Sequence, residues 1–86
     1  MKIQFMVEDN SYYNSDMEYK IIESYYPEEY PQHGYDIYQV ETDNISNIHI
    51  VDCNMIEYEA EQTIKFKNGD ETIYYISVWK SAEKMR

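Results

Sequence analysis

The chain has 86 residues, of which 43% are apolar, and a formal net charge of −10 at pH 7. This length predicts a single domain, residues 1–86, with a thin hydrophobic core. The charge argues against direct binding to nucleic acid or to an anionic membrane, because both attract Lys and Arg and repel carboxylates. No apolar stretch is long enough to cross a bilayer, and the single cysteine, Cys53, is typical of a reducing compartment, so we expect a cytoplasmic protein.

The charge is unevenly distributed along the chain. The segment Glu8–Glu61 holds fourteen acidic residues and one base, Lys20, which gives it a charge of −13. The residues before and after it are slightly basic. Any charged partner of this protein is therefore expected to be basic.

The N-terminal residues predict a β-strand. Ile3, Phe5 and Val7 alternate with polar residues, so one face of a strand over residues 1–8 would pack on a core. The polar residues that follow, up to Asn14, are turn formers and favour a loop.

A helix is expected over about residues 16–26. Ser15 and Glu18 form a capping box, in which each side chain can bond to a free backbone amide of the first turn. Pro27 would end the helix, since proline cannot continue it. The apolar stripe at four-residue spacing consists of Met17, Ile21 and Tyr25.

Residues 27–34 contain both prolines and one of the two glycines, which predicts a loop. The chain beyond is rich in β-branched and aromatic residues, and its short connections favour antiparallel pairing. The expected strands are Tyr35–Thr42, Ile45–Asp52, Met55–Ala60, Thr63–Lys67 and Thr72–Lys80. The predicted fold class is therefore α+β: an antiparallel sheet of about five to six strands, with one N-terminal helix after the first strand.

Asn68 and Gly69 predict a hairpin turn between the last two strands, because both tolerate positive φ. The loop length decides which side chains share a face with Ile64 and Phe66. A two-residue turn would place them with Ile73, Tyr75 and Trp79. A three-residue loop with a bulge would place them with Tyr74, Ile76 and Val78. We favour the second register, since it gathers more aliphatic side chains on one side.

Catalytic and metal-binding patterns are missing from the sequence. Nucleophilic catalysis needs a nucleophile beside a base, but Cys53 has no motif around it and is expected to be a small buried residue. His49 alternates with isoleucines and is expected to face solvent, while His33 falls in the loop. No Cys or His pair has zinc spacing, and no loop has the calcium pattern. We expect neither an enzyme nor a bound cofactor.

Tyrosines interleaved with acidic residues are the main remaining signal. Eight of the eleven tyrosines lie between Tyr12 and Tyr38. Tyrosine offers a large, stiff, amphipathic contact and is enriched at interface hot spots. The same rings can also complete a core that contains no leucine, so both interpretations stay open. The candidate binding residues in the densest stretch are Tyr26, Glu28, Glu29 and Tyr30.

A second candidate surface lies on a predicted strand, where Glu57, Glu59 and Glu61 alternate with apolar residues. Their spacing of about 6.7 Å along one face would make a regular row of negative charge. One DNA strand carries a phosphate every ~3.4 Å, so such a row could imitate a phosphate backbone. The alternative is an ordinary solvated face or a charged edge strand. Three further acids could extend the surface: Asp36, Glu41 and Asp43.

At the level of class, the chain resembles the small acidic inhibitors that phages and mobile elements direct against nucleic-acid enzymes: anti-CRISPR proteins, anti-restriction proteins and uracil-glycosylase inhibitors. The resemblance rests on size, the −13 segment, the abundance of Tyr and Asn, and the α+β prediction. It implies an inhibitor that fills the basic nucleic-acid groove of an enzyme with carboxylates, and a bacterial host cell if the chain is phage-encoded.

Two other functions fit the same sequence. An immunity protein that neutralises a basic toxin would have the same composition. A structural module would use its strands or tyrosines to form homodimers or larger homo-oligomers, without any basic partner. Oligomeric state distinguishes this last possibility from the first two.

Overall fold

The computed structural model describes residues 1–84 and shows a nearly all-β protein, with 63% of the chain in strands. Seven strands form one sheet that curls into a half-barrel. They are β1 (Lys2–Glu8), β2 (Ser11–Tyr13), β3 (Lys20–Tyr25), β4 (Tyr35–Glu41), β5 (His49–Asp52), β6 (Ile56–Asn68) and β7 (Glu71–Lys84). Two short 3-10 turns lie at Pro31–His33 and Ile45–Asn47. Within the described residues, no helix is long and apolar enough to cross a membrane.

The strand order is β2-β5-β6-β7-β1-β4-β3. Neighbouring strands are antiparallel except β1 and β7, which pair in parallel over three residues each, beginning with Lys2 opposite Ile73. The expected α+β fold with a purely antiparallel sheet is therefore wrong: the sheet is mixed and has seven strands. The predicted first strand over residues 1–8 is confirmed, with Ile3, Phe5 and Val7 buried.

The predicted helix over residues 16–26 does not form. Its C-terminal half is strand β3, which pairs with β4, and the Ser15 hydroxyl bonds to the backbone of the Ile45–Asn47 turn and of β5 instead of capping a helix. The physical reason is that isoleucine and tyrosine favour extended backbone, and the free edge of β4 supplies hydrogen-bond partners. Met17 packs on the core, but Ile21 and Tyr25 are about half exposed.

Two expected strands merge and one is shortened. The expected strands 55–60 and 63–67 merge into the single long strand β6, which begins at Ile56. Its register against β7 shifts at bulges on either side of Ala60. A bulge lets a long strand bend, which is how this sheet curls. The expected strand at 45–52 begins only at His49, because Asn44 caps a 3-10 turn with its side chain.

The β6–β7 hairpin has the register that we did not favour. Asn68 pairs with Glu71, so the turn has two residues, Gly69 and Asp70, and Phe66 lies opposite Ile73. Gly69 has φ 65° and takes the first turn position, where a type II′ turn needs positive φ. Turn chemistry decided the register, not the number of aliphatic side chains on one face.

The core lies inside the curl of the sheet and has no buried polar or charged residue among those described. Its buried side chains come from five strands and from the end of a 3-10 turn. Phe5 is central: its ring is 5.6–5.8 Å from the rings of Tyr13, Tyr38 and Trp79. Tyrosine rings thus complete a core that lacks leucine. The principal buried residues are Ile3, Phe5, Val7, Val40, Ile48, Ile50, Ala60 and Ile76.

Candidate functional site

One end of the sheet carries a concentration of acidic side chains, which we call the acidic end. The 9–10 turn and the 26–34 loop meet there, because the amide of Asp9 donates to the carbonyl of Gly34 over 3.0 Å. The end of β5 joins them through the pairing of Ser11 with Asp52. The acidic end is defined by Glu8, Asp9, Glu28, Glu29, Asp36 and Asp52.

No side chain that the structure describes neutralises the negative charge of the acidic end. Among the side chains that the structure describes, none of these six acids forms an ion pair. Lys2 forms an ion pair with Glu71, and Lys80 forms one with Glu59, both outside the acidic end. This surface can therefore attract an external cation.

Tyr26 is held in a defined position at the acidic end. Its hydroxyl donates to Asp36 over 3.0 Å, and its ring covers Gly34 so closely that a Cβ there would lie 2.1 Å from a ring carbon. Partial desolvation, with the hydrogen bond and charge of Asp36 and the charge of Asp9, raises the pKa of Tyr26. The neutral phenol is thus favoured, with almost half of the side chain still exposed.

Tyr30 is the second exposed ring of this loop. It is 54% exposed and stacks on His33, with 5.6 Å between the ring centroids. Neither Tyr26 nor Tyr30 belongs to the hydrophobic core. The two rings are therefore available for an external contact, unlike Tyr13 and Tyr38, which pack against the core.

The sequence-predicted binding residues divide into three places. Tyr26, Glu28, Glu29, Tyr30 and Asp36 come together at the acidic end. Glu41 and Asp43 lie at the opposite end of β4, where both carboxylates accept hydrogen bonds from the N-terminal ammonium of Met1 over 3.0 Å. Glu57, Glu59 and Glu61 are on β6.

The prediction that Glu57, Glu59 and Glu61 form a regular row of negative charge on one face of a strand is wrong. Glu57 is only 12% exposed and is paired with His49, and Glu59 is paired with Lys80 over 3.4 Å. Glu61 falls at the bulge, between residues paired with Trp79 and Val78. Bulges break the two-residue period that the row required, and two of its three carboxylates are already paired with His49 and Lys80.

Two expectations about single residues are also wrong. Cys53 is exposed, not buried, since it sits in the turn after β5. His49 is held between two acceptors and does not project into solvent: Nδ1 contacts Glu57 and Nε2 lies 2.8 Å from the carbonyl of Ser46. His33 is exposed in the 27–34 loop, as expected.

A cleft of about 510 Å³ borders the acidic end. Its walls come from five strands, β1, β2, β5, β6 and β7, and from the 9–10 turn. Its residues are therefore far apart in sequence, and no local pattern could have revealed it. The volume is within the range of small-ligand pockets in proteins. The apolar lining includes Met6, Ile50, Ile64, Tyr75, Ile76 and Trp79.

Polar groups lie at the rim of the cleft. Asp52 is fixed there, since its carboxylate accepts from the amides of Asn54 and Ile56 and, over 3.3 Å, from the hydroxyl of Tyr58. Desolvation and the charge of Asp52 raise the pKa of Tyr58, which favours the protonated, donating phenol. Glu8 is exposed at the same rim.

The described side chains contain no group of three or more His, Cys, Asp or Glu residues arranged to hold a metal ion. The chain matches no protein-family model, no curated protein and no solved structure.

Proposed function

We propose that this protein is an acidic binding protein whose partner is a basic protein surface of the kind that a nuclease or other nucleic-acid enzyme presents in its nucleic-acid groove. The supporting observation is the acidic end, where six carboxylates have no ion-pair partner among the described side chains. By occupying such a groove, the protein would act as an inhibitor.

The acidic end has the properties that such binding needs. Uncompensated charge of one sign attracts an opposite surface over a distance of about a Debye length and speeds association. Tyr26 and Tyr30 add contact area beside Glu28 and Glu29, and Tyr26 is already held by Asp36, so less conformational freedom is lost on binding. Charge gives the rate and the tyrosines give the apolar contact.

The binding surface differs from the one expected from sequence. The candidate residues of the loop, Tyr26, Glu28, Glu29 and Tyr30, are retained in the proposed surface. Glu57 and Glu59 are not included, because each is already paired with a neighbouring side chain, His49 or Lys80. Glu41 and Asp43 are also left out, because they hold the N-terminal ammonium at the other end of β4.

The test is capture of a partner from a bacterial lysate with the tagged protein, at low and at high salt, followed by elution with double-stranded DNA. We expect a basic nucleic-acid-binding enzyme that is lost at high salt and displaced by DNA. The partner is then purified and its affinity measured for the wild type and for the double variant Glu28→Gln/Glu29→Gln. We expect the double variant to bind about tenfold more weakly.

The matched control is Glu61→Gln/Asp70→Asn, which removes two exposed charges outside the acidic end. This variant should bind within about twofold of the wild type. Equal weakening by both double variants would show that only net charge matters. A captured partner that DNA does not displace would contradict the inhibitor function.

A second candidate function is self-assembly, which the exposed edge of β3 favours. All six residues of this outermost strand are exposed, including Ile21 and Ile22. Light scattering over a range of concentrations distinguishes the two functions. A stable dimer without a basic partner would favour assembly.

A further inference from the structure

The cleft opens where β1 and β7 separate. Their described pairing ends at Gln4 and Tyr75. Further along the two strands, Met6 and Glu8 of β1 and Ser77 and Trp79 of β7 all line the cleft. β1 is paired with β4 on its other side, and β7 with β6. Their backbone groups that point away from those partners are therefore directed at the cleft.

Open strand edges of this kind match an extended peptide. An extended segment offers alternating amides and carbonyls to an exposed edge, and pockets beside the edge accept its alternate side chains. The apolar lining provides such a pocket: Ile64 is 51% and Met6 is 37% exposed. Trp79 spans the pocket and the core, because it lines the cleft and packs edge-on against Phe5.

The negative charge of the cleft favours a positively charged peptide. Glu8 and Asp52 are the charged lining residues among those described, and the lining contains no base. Asp9 follows directly, in the adjoining turn. A carboxylate beside an aromatic wall is a favourable setting for a guanidinium or ammonium group, which can pair with the acid and lie over the ring.

We propose that the cleft between β1 and β7 binds an extended segment of the basic partner in which apolar or aromatic side chains alternate with Arg or Lys. This proposal rests on the proposed function and names the chemistry of the segment recognised. Apolar side chains enter between Ile64 and Trp79, and a cationic side chain pairs with Glu8 at the rim.

Trp79 supplies the measurement, because it is the single tryptophan of the chain. The probe is a capped pentapeptide in which arginine and phenylalanine alternate, and binding is followed by tryptophan emission. Two further peptides serve as controls, one with glutamate in place of arginine and one with glycine in place of phenylalanine. We expect a saturable emission change with the first peptide and at least tenfold weaker binding of the other two.

Point variants test whether the peptide binds in the cleft. Glu8→Lys and Ile64→Ser change exposed residues of the cleft, so both should fold, which circular dichroism and the urea midpoint will check. Each is expected to weaken the arginine–phenylalanine peptide by about tenfold. Glu61→Lys makes the same change of charge, but Glu61 lies at the β6 bulge, outside the cleft. This variant should have little effect on binding of the peptide.

Several results would overturn the proposal: no emission change, equal binding of the three peptides, or equal weakening by Glu8→Lys and Glu61→Lys. The outcome is separable from that of the proposed function. Ile64→Ser separates the two sites, because Ile64 lines the cleft and is not part of the acidic end. If Glu28→Gln/Glu29→Gln weakens binding of the captured partner while Ile64→Ser does not, the acidic end binds without the cleft.

Discussion

At the scale of single residues, His49 shows the clearest electrostatic arrangement in the protein. Its two ring nitrogens face two acceptors, the Glu57 carboxylate and the Ser46 carbonyl. A neutral imidazole has only one N–H, so both contacts are satisfied only in the protonated ring. Burial alone would lower the pKa of His49, but the Glu57 hydrogen bond, the Ser46 carbonyl and the charges of Glu57 and Glu59 together raise it.

This arrangement predicts a pH-dependent stability. Because the folded-state pKa lies above the ordinary value of 6.5, the folded state binds the proton more tightly than the unfolded chain. The stabilisation is complete below pH 6.5 and is lost as pH rises through the folded pKa. The loss should stay below the ~1.5–3 kcal/mol that a hydrogen bond to a charged group contributes, because the neutral ring can still donate to one of the two acceptors. Urea unfolding at a series of pH values measures it.

Glu57→Gln isolates the effect of His49. The N-terminal ammonium also has a raised pKa, owing to hydrogen bonds from its N–H groups to Glu41 and Asp43, and it titrates from a higher ordinary value of 8.0. Only the His49 contribution should disappear in Glu57→Gln, whereas His33→Gln should retain the wild-type profile. An unchanged decline of stability in Glu57→Gln would contradict the assignment.

At the scale of elements, β3 is an outer strand that carries several protective features. Its register against β4 shifts at a bulge between Ile21 and Glu23, and the charged side chains Lys20 and Glu23 project from it. Bulges and charges are common means by which edge strands avoid pairing with other chains. They offset the exposure of Ile21 and Ile22, so we expect the wild type to be monomeric.

Removing these charges should allow the edge of β3 to pair with another molecule. We expect Lys20→Val/Glu23→Val to associate at concentrations where the wild type remains monomeric, because valine favours strand pairing and no charge then opposes it. Light scattering against concentration measures the association. The control Lys2→Val/Glu71→Val removes an ion-paired lysine and glutamate from β1 and β7, which are not outer strands of the sheet. If the control associates to the same extent, general hydrophobicity and not the β3 edge is the cause.

The sequence predicted a strand or loop correctly where neighbouring residues alone determine it. The alternation of Ile3, Phe5 and Val7 predicted β1 correctly, and the prolines predicted the loop at 27–34. The helix prediction at 16–26 failed because side chains four residues apart share a face in a strand, with its period of two, as well as in a helix. Whether that segment would pair with β4 depended on an edge that lies elsewhere in the chain.

At the scale of the whole molecule, unpaired negative charge is the dominant property. The net charge is −10, and the structure concentrates six carboxylates at the acidic end. Like charges at short separation oppose the compact state. The molecule measures 37 × 33 × 21 Å, which is comparable to the Debye length of about 30 Å at 0.01 M salt, so at low ionic strength these charges repel one another with little screening.

Added salt should therefore stabilise the protein. We expect sodium chloride to raise the free energy of unfolding in urea by an amount on the order of 1 kcal/mol, because screening weakens the repulsion more than it weakens the few ion pairs. Glu28→Gln/Glu29→Gln should gain less from salt than the wild type. A fall in stability with salt would show that the ion pairs outweigh the repulsion.

The sequence by itself determined the sign and excess of the charge, the first strand and the main loop, because each depends on composition or on neighbouring residues. Only the tertiary structure decided which charges are free. Glu57 and Glu59 are paired with His49 and Lys80 from adjacent strands, whereas the six acids of the acidic end have no ion-pair partner among the described side chains. The cleft arises in the same way: strand order brings β1 against β7, and their separation beyond Gln4 opens it. Such contacts join residues far apart in the chain, so no local pattern encodes them.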